Sequence, residues 1–257
     1  MTASPPAPRE IWQIGGEDSV SFLQGLVTND VLPLSRGPGL VWAALLNPQG
    51  KYLADFFVAR RAEDPAGVLL LDIDARLAPG VMRLMQLYRL RAAVQIARSP
   101  LAVSRGTGPA PAGALADPRH PALGWRLYGE GAAEDPTDWE AIRVGHLIPE
   151  YPAELRPNES YILEQGFERL HGVDFRKGCY VGQEVTARMK HKTDLRKGLV
   201  RLKIEGAAEP GTAITLPDGR EAGVLGTVSG GRALAQMRFD RLAGPLEAGA
   251  ARLEAEG

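Results

Sequence analysis

The N-terminal half of the chain places apolar residues in short blocks separated by turn-forming residues. Four blocks rich in Val, Leu, Ile and aromatic residues predict β-strands, at residues 11–14, 39–46, 51–60 and 68–73. The tetrapeptide NPQG at 47–50 is typical of a tight turn, so the blocks around it predict an antiparallel meander. A further block at 92–97 predicts a strand that returns to the same region.

Two segments between these blocks repeat their apolar residues at helical spacing. The first has Asp18 or Ser19 as a candidate N-cap and ends at the polar residues 28–30. Its shared apolar face consists of Phe22, Leu23 and Leu26, and that of the second helix of Leu77, Val81, Leu84, Met85 and Tyr88. Helices that alternate with antiparallel strands predict an α+β fold rather than a doubly wound parallel sheet.

The middle of the chain has weaker periodicity. Residues 99–124 are rich in Ala, Pro and Gly and contain few large apolar side chains, which predicts a flexible connection. A third helix is predicted to begin at 135–137 and to continue as far as Val144. At the N-terminus, the proline-containing residues 1–10 predict a disordered leader.

From Gly198 onward, the pattern of apolar residues changes to that of short strands. Short strand-like runs follow one another at even spacing, and the turn PDGR separates two of them. The runs are GLVRLKI, TAITL, GVLGTVS and RALAQMRF. Short, evenly spaced strands of this kind predict a small β-barrel or sandwich over residues 198–257.

Composition narrows the class of protein. The 257 residues are 44% hydrophobic and 24% charged, with a net charge of −1, which is ordinary for a globular protein. We therefore expect no direct nucleic-acid contact and no membrane partner. One cysteine excludes an intramolecular disulfide and a CxxC site. Together with an N-terminus that lacks a hydrophobic signal core, this predicts a reducing, cytoplasmic location.

The single cysteine lies in the stretch KGCYVGQEVTAR. Residues 171–203 carry nine Lys and Arg against three Asp and Glu, so basic charge is concentrated around Cys179. Nearby cations favour thiolate over thiol, and Lys177 is the nearest of them in sequence. Gly178 and Gly182 allow a positive φ or a close approach of the backbone to a ligand.

Simpler interpretations of these residues remain open. A lone cysteine is more often a small buried hydrophobe than a nucleophile, and a basic run is often a solvated surface. No spacing links the four histidines to Cys179 as a catalytic base, and the glycines match neither a P-loop nor GxGxxG. The histidines also lack metal-ligand spacing, so we expect no metal held by this chain alone.

Several segments together carry a resemblance to a known family. KGCYVGQE resembles the K-G-C-[FY]-x-G-Q-E motif of YgfZ-type folate-binding proteins, which belong to the superfamily of the glycine-cleavage T-protein, an aminomethyltransferase. Five collinear segments also resemble that superfamily: FLQGLVTNDV, LLNPQGKYLADFFV, LMQLYRLRAAVQI, DPRHPALGWR and the C-terminal pair GVLGTVS and ALAQMR.

The resemblance implies a fold and a function. The fold would be the three-lobed α+β T-protein-like architecture, with a two-lobed folate-binding core over 11–190 and a small barrel over 198–257. The function would be that of a tetrahydrofolate-binding accessory factor for assembly or repair of iron–sulfur clusters in client enzymes, including tRNA-modifying ones. Partners would be folate, such client enzymes and cluster carriers.

The same resemblance assigns candidate site residues. Cys179 would carry the chemistry with Lys177 beside it. The candidate folate contacts are Gln183, Glu184, Arg188, Arg143, Asp30, Asn47 and Asp55. Gln183 and Glu184 would meet the pterin edge or shape the loop, and Arg188 or Arg143 the anionic tail.

Two other functions compete with this one. T-proteins carry a pair of aspartates after the N-x-x-G turn, and here the first position falls on Ala54 and the second on Asp55. A methyl group cannot act as a general base, so the sequence favours folate binding without transfer. The alternatives are a folate-dependent aminomethyl transferase and a partner-binding protein whose folate channel is vestigial.

Overall fold

The computed structural model describes residues 8–131, 136–192 and 194–256, which form two compact units. The first unit comprises the described residues up to Thr137 together with Glu168–Glu184, and the second comprises Asp138–Phe167 and the chain from Val185 onward. Most of the predicted leader lies outside the described residues. Its last three residues are described, and the prediction is wrong for two of them, because the first strand begins at Arg9.

The first unit is built on a five-stranded antiparallel sheet. Its strands are β1 (Arg9–Gly15), β2 (Gly39–Leu46), β3 (Tyr52–Arg60), β4 (Leu69–Asp74) and β5 (Gln95–Arg98). The strand order is β2-β3-β4-β1-β5. The predicted meander is therefore confirmed, and the returning strand pairs with β1, a few residues later than the sequence indicated.

Two helices cover one face of this sheet. Helix α1 (Ser19–Gln24) and helix α2 (Ala78–Arg89) pack with the alternate strand residues Ala54, Phe56 and Val58 in one apolar core. Asp18 precedes α1, but its side chain does not cap that helix. It accepts a hydrogen bond from the Ala93 N–H at 2.7 Å instead, which holds the start of α1 against the loop before β5.

The prediction of a flexible connection over 99–124 is wrong. This segment contributes to a second sheet of order β6-β8-β7, formed by β6 (Ala102–Gly106), β7 (Leu115–Ala116) and β8 (Trp125–Gly129). The second sheet packs on the main one through a small apolar cluster that includes Tyr128 and Leu70.

Buried ion pairs explain why the apolar pattern of this segment is weak. Arg126 is 4% exposed and binds both Asp72 and Asp117, and Arg119 binds Asp117 at 2.8 Å. The Arg126 guanidinium also stacks on the ring of Phe57 at 3.7 Å. Charged side chains thus occupy interior positions that apolar ones normally fill, because each is paired with an opposite charge.

The second unit contains the predicted C-terminal barrel. Its six strands are β9 (Lys197–Glu205), β10 (Ala213–Thr215), β11 (Glu221–Ser229), β12 (Arg232–Arg238), β13 (Leu246–Ala248) and β14 (Ala251–Ala255). They close in the order β10-β11-β12-β9-β14-β13. Closure settles the choice between barrel and sandwich in favour of a barrel.

Two helices precede the barrel in the chain. Helix α3 (Trp139–His146) was predicted, and its N-cap is Asp138, whose carboxylate accepts from the Ala141 N–H at 2.9 Å. Part of the predicted start, Asp135, lies outside the described residues. Helix α4 (Gln183–Lys192) was not predicted. Among the described residues, no helix has both the length and the apolarity needed to cross a membrane.

Candidate functional site

Cys179 is solvent-exposed, which excludes the interpretation of a buried core cysteine. It lies in a turn-rich segment between Gly178 and Tyr180 that precedes α4. Gly178 and Gly182 both have a positive φ, of 100° and 81°, so both positions favour glycine. A Cβ on Gly182 would also lie 2.6 Å from the carbonyl oxygen of Asn47, which makes this a close backbone approach to the β2–β3 turn.

Lys177 anchors the cysteine segment to the first helix. Its Nζ donates to the carbonyl oxygens of Gln24 at 2.5 Å and Val27 at 2.6 Å, and it lies 5.0 Å from the centre of the Tyr180 ring. Burial lowers the pKa of Lys177 to about 8, while Asp30, Asp174 and Cys179 oppose that shift. The side chain predicted to assist the thiol is therefore engaged with backbone carbonyls.

Gln24 completes this contact from the other side. Its Nε2 donates to the carbonyl oxygen of Lys177 at 3.1 Å and to Asp30 Oδ1 at 3.0 Å, and its Oε1 accepts from the Val31 N–H. Asp30 also accepts from the Leu32 N–H. Asp30, a candidate folate contact, thus lies in the same small network as Lys177 and orders the turn after α1.

The residues TND at 28–30 attach the cysteine segment to the main sheet. The buried Thr28 hydroxyl donates to the carbonyl oxygen of Gly172 at 2.7 Å and accepts from the Ala44 N–H at 2.9 Å. Asn29 donates through Nδ2 to the carbonyl oxygens of His171 and Trp42. From the sequence, Thr28 and Asn29 were predicted only to end a helix, and Asp30 was in addition a candidate folate contact. A polar triplet directly after a helix was the available signal.

The β2–β3 hairpin presents Asp55 and Ala54 on opposite faces. Asp55 accepts from the hydroxyl of Tyr52 at 2.7 Å and from the indole N–H of Trp42 at 2.9 Å. Burial and the nearby Asp55 carboxylate raise the pKa of Tyr52 well above its usual value, so the phenol remains a donor. Ala54 is fully buried in the helix-side core. Only Asp55 could offer a carboxylate to a ligand here.

The other hairpin candidate, Asn47, has a structural task. Its Oδ1 accepts from the N–H groups of Gln49 and Lys51, and its own N–H and carbonyl close the same turn. The side chain therefore shapes the turn that approaches Gly182, rather than standing ready for a ligand.

Three further candidate folate contacts, Gln183, Glu184 and Arg188, are on α4. Gln183 begins the helix and accepts from the Tyr180 N–H at 3.3 Å, which closes the turn that follows Cys179. Glu184 and Arg188 are exposed one helical turn apart. Helix α4 lacks a clear apolar stripe, which is why periodicity did not predict it.

Arg143 is placed differently from the sequence expectation. It is 5% exposed in the second unit, where it donates to Glu154 at 3.1 Å and to the Thr227 hydroxyl at 2.8 Å. Glu154 in turn accepts from the Thr227 N–H at 2.7 Å. These pairs join α3 to strand β11, so a ligand tail could reach the guanidinium only by displacing a buried carboxylate.

The site therefore has one exposed thiol on a segment fastened to the first unit at several points. Of the predicted residues, the structure brings Lys177 and Asp30 together at this segment, with Asn47 near its end. In the described part of the chain, no three His, Cys, Asp or Glu side chains are arranged to hold a metal ion.

Comparison with known proteins identifies the family. A protein of Mus musculus named iron-sulfur cluster assembly factor IBA57, mitochondrial, is 30% identical over 279 residues, which cover 93% of this chain and 78% of the mouse protein. The chain belongs to the IBA57 family. A protein of Mycosarcoma maydis named iron-sulfur cluster assembly factor IBA57 homolog, mitochondrial, is 33% identical over 236 residues, which cover 79% of this chain. The chain spans only 57% of that fungal protein.

Two further comparisons concern the fold. The family described as CAF17, C-terminal beta-barrel domain, matches residues 196–257. The crystal structure of glycine cleavage system aminomethyltransferase T from Bartonella henselae superposes with a TM-score of 0.75 and covers 97% of this chain and 83% of that chain, at 12% identity. The predicted T-protein-like fold with a small barrel is confirmed. The narrower YgfZ-type assignment stays a prediction.

Proposed function

We propose that this IBA57-family chain is an accessory factor that assembles or repairs iron–sulfur clusters in client enzymes, with Cys179 as its reactive group. The names of its relatives support cluster assembly. The observation that carries the role of the thiol is that the only cysteine in the chain is exposed on a segment fastened through Lys177 and Thr28.

Cluster chemistry at Cys179 requires a partner. Iron–sulfur clusters are generally held by about four thiolates, and this chain has one cysteine. Cys179 would therefore bind a cluster jointly with thiolates of a carrier or client protein, or its thiolate would take the outer sulfur atom of a partner's persulfide, whose own thiol is then released. In the first case the cluster is cargo that passes through a shared site.

We also propose that the chain binds tetrahydrofolate or a derivative, a proposal that the T-protein-like fold supports. Asp55 fits such a ligand, because Tyr52 and Trp42 hold its carboxylate in place while lone pairs remain for a pterin edge. Arg143 does not fit, because its buried guanidinium is already paired with Glu154, Thr227 and Glu150. Of the two candidates for the anionic tail, Arg188 is the exposed one.

A folate-dependent aminomethyl transferase is the alternative function. Ala54 offers no carboxylate and lies in an apolar core, so we expect binding without transfer. Calorimetric titration with tetrahydrofolate, beside an assay of aminomethyl transfer, separates the two. Transfer activity would require the alternative, and absence of binding would favour a protein that acts through partners alone.

The thiol proposal is tested in cells that lack their own IBA57-family factor. We expect the wild-type chain to restore the activity of a cluster-dependent enzyme and Cys179→Ser to fail, since serine keeps the shape but loses the sulfur ligand. Arg176→Gln is the matched control, because Arg176 is an exposed neighbour. Equal rescue by Cys179→Ser, with equal protein levels, would contradict the role of the thiol.

A further inference from the structure

Helix α1 lacks a cation of its own at its C-terminal end. No basic residue lies in its last turn, and its C-cap is Gly25. The carbonyl oxygens at a helix C-terminus carry partial negative charge and attract a cation. Here the carbonyl of Gln24, the last residue of α1, and that of Val27, three residues beyond the helix, receive the ammonium of Lys177 from a position 150 residues or more along the chain.

The contact between Lys177 and Gln24 is reciprocal. Each residue donates from its side chain to the backbone carbonyl of the other, at 2.5 Å and 3.1 Å. A reciprocal pair fixes both the distance and the register of two segments, much as a capping box does within one helix. The bonds of Thr28 to Gly172 and of the Asp174 N–H to the Thr28 carbonyl, at 3.1 Å, extend the same seam.

We propose that Lys177 is a positioning residue: its ammonium caps the C-terminal end of α1 from outside and thereby holds the Cys179 segment in a fixed conformation. This goes beyond the proposed function, on which its biological meaning rests, because it assigns the lysine to geometry rather than to activation of the thiol. The cysteine lies two residues beyond the anchor, with Gly178 between them at a φ of 100°. Without the anchor, that glycine would leave the thiol free to move.

The single cysteine makes this proposal directly testable. A nitroxide spin label on Cys179 reports the mobility of its own segment by electron paramagnetic resonance, with no other thiol to compete. We expect restricted motion in the otherwise unaltered protein and a rise of about twofold or more in the mobile fraction in Lys177→Met, because local contacts determine local opening. Methionine keeps an unbranched apolar chain and removes the donor.

Arg176→Met is the matched control for charge. Arg176 is adjacent and its side chain is 95% exposed, with Asp174 as a distant partner at 4.0 Å. The substitution Arg176→Met removes the same unit of charge from a side chain that lies almost wholly in solvent. The spectrum of this variant should therefore match that of the unaltered protein. Equal mobilisation by both substitutions would show a general charge effect and overturn the proposal, as would an unchanged spectrum in Lys177→Met.

Gln24→Met provides a second route if Lys177→Met does not fold. It removes the donor to the Lys177 carbonyl and leaves the lysine ammonium in place, so we expect partial mobilisation. Alkylation of the unlabelled thiol across pH completes the test. A pH profile altered by Lys177→Met, together with an unchanged label spectrum, would assign the lysine to thiol activation and overturn the proposal.

These measurements do not depend on cluster assembly. Failure of the wild-type chain to rescue cells would contradict the proposed function and leave the label spectra unaffected. An unchanged spectrum in Lys177→Met, or in Gln24→Met where Lys177→Met does not fold, would remove the positioning role while rescue by the wild-type chain could still stand.

Discussion

Asp72 shows how single residues stabilise the first unit. Its carboxylate is fully buried and accepts from Arg9 at 2.7 Å, Arg126 at 3.0 Å and the hydroxyl of Tyr128 at 3.1 Å. Burial alone would raise the pKa of Asp72, but the attraction of Arg9 and Arg126 outweighs burial and holds that pKa below its usual value. The carboxylate therefore stays ionised in the interior.

We expect Asp72→Asn to destabilise the protein strongly. The substitution keeps the shape but leaves the buried guanidinium of Arg126 and the partly buried one of Arg9 without this counter-charge, which typically costs about 3–5 kcal/mol. Urea denaturation followed by circular dichroism measures the loss. Asp218→Asn is the control, because Asp218 pairs with Arg220 on the surface, where such pairs contribute roughly 0–1 kcal/mol. Similar losses for both variants would contradict the structure.

The same carboxylates predict a dependence of stability on pH. Asp72 and Asp117 both have folded-state pKa values below those of the unfolded chain, so unfolding takes up protons in acid. Their stabilisation is complete above the unfolded-state pKa, near pH 4, and is lost as the pH falls further. Free energies of unfolding measured from pH 6 downward should therefore decline less steeply for Asp72→Asn than for wild type. Parallel curves would show that Asp72 is not paired in solution.

At the scale of elements, the sequence predicted those whose apolar spacing is regular. Helix α2, the strands of the main sheet and the barrel strands β9 to β12 lie at or close to the apolar blocks of the sequence, whereas the short strands β13 and β14 lie outside the predicted runs. The structure of the segment over 99–124 and of helix α4 (Gln183–Lys192) did not follow from that pattern, because the first contributes charged residues to the interior and the second is mostly polar. Long-range ion pairs cannot be read from local periodicity.

The attachment of the cysteine segment is also an element-scale feature. Thr28 bridges it to β2 through one buried hydroxyl that donates to Gly172 and accepts from Ala44. We expect Thr28→Val to cost about 1–3 kcal/mol, since it leaves a buried donor and a buried acceptor without partners. Thermal unfolding compares it with Thr212→Val, whose exposed hydroxyl contacts only a neighbouring carbonyl. A smaller loss at Thr28 than at Thr212 would mean that the segment is not attached there.

For the whole molecule, the sequence predicted the fold class better than the ligand contacts. Cys179 is exposed, as a reactive thiol requires, but its reactive role stays a prediction. Roles for Lys177 and Arg143 depended on distant partners that no local pattern contains: the carbonyls of Gln24 and Val27 for the lysine, and Thr227 for the arginine. The role of Asn47 is local, because its side chain closes its own turn. The predicted two-lobed core over 11–190 and the cytoplasmic location stay predictions.

The role that the sequence predicted for Arg143, a contact to the anionic folate tail, differs from its role in the structure, a buried ion pair. If its role is the internal pair with Glu154 and Thr227, then Arg143→Met leaves a buried carboxylate unpaired and costs about 3–5 kcal/mol. Adding Glu154→Gln should recover part of that loss, since it removes the orphaned charge and the two residues are in contact.

Binding then separates the internal role from the ligand role. Under conditions where Arg143→Met is folded, calorimetry with tetrahydrofolate polyglutamate should give the affinity of wild type, whereas Arg188→Met should bind about tenfold more weakly because it loses one charge-assisted contact. The double variant with Glu154→Gln keeps this comparison possible at higher stability. A loss of affinity in Arg143→Met that exceeds the loss in Arg188→Met would restore Arg143 as the tail contact. The buried pair with Glu154 would then have to open when folate binds.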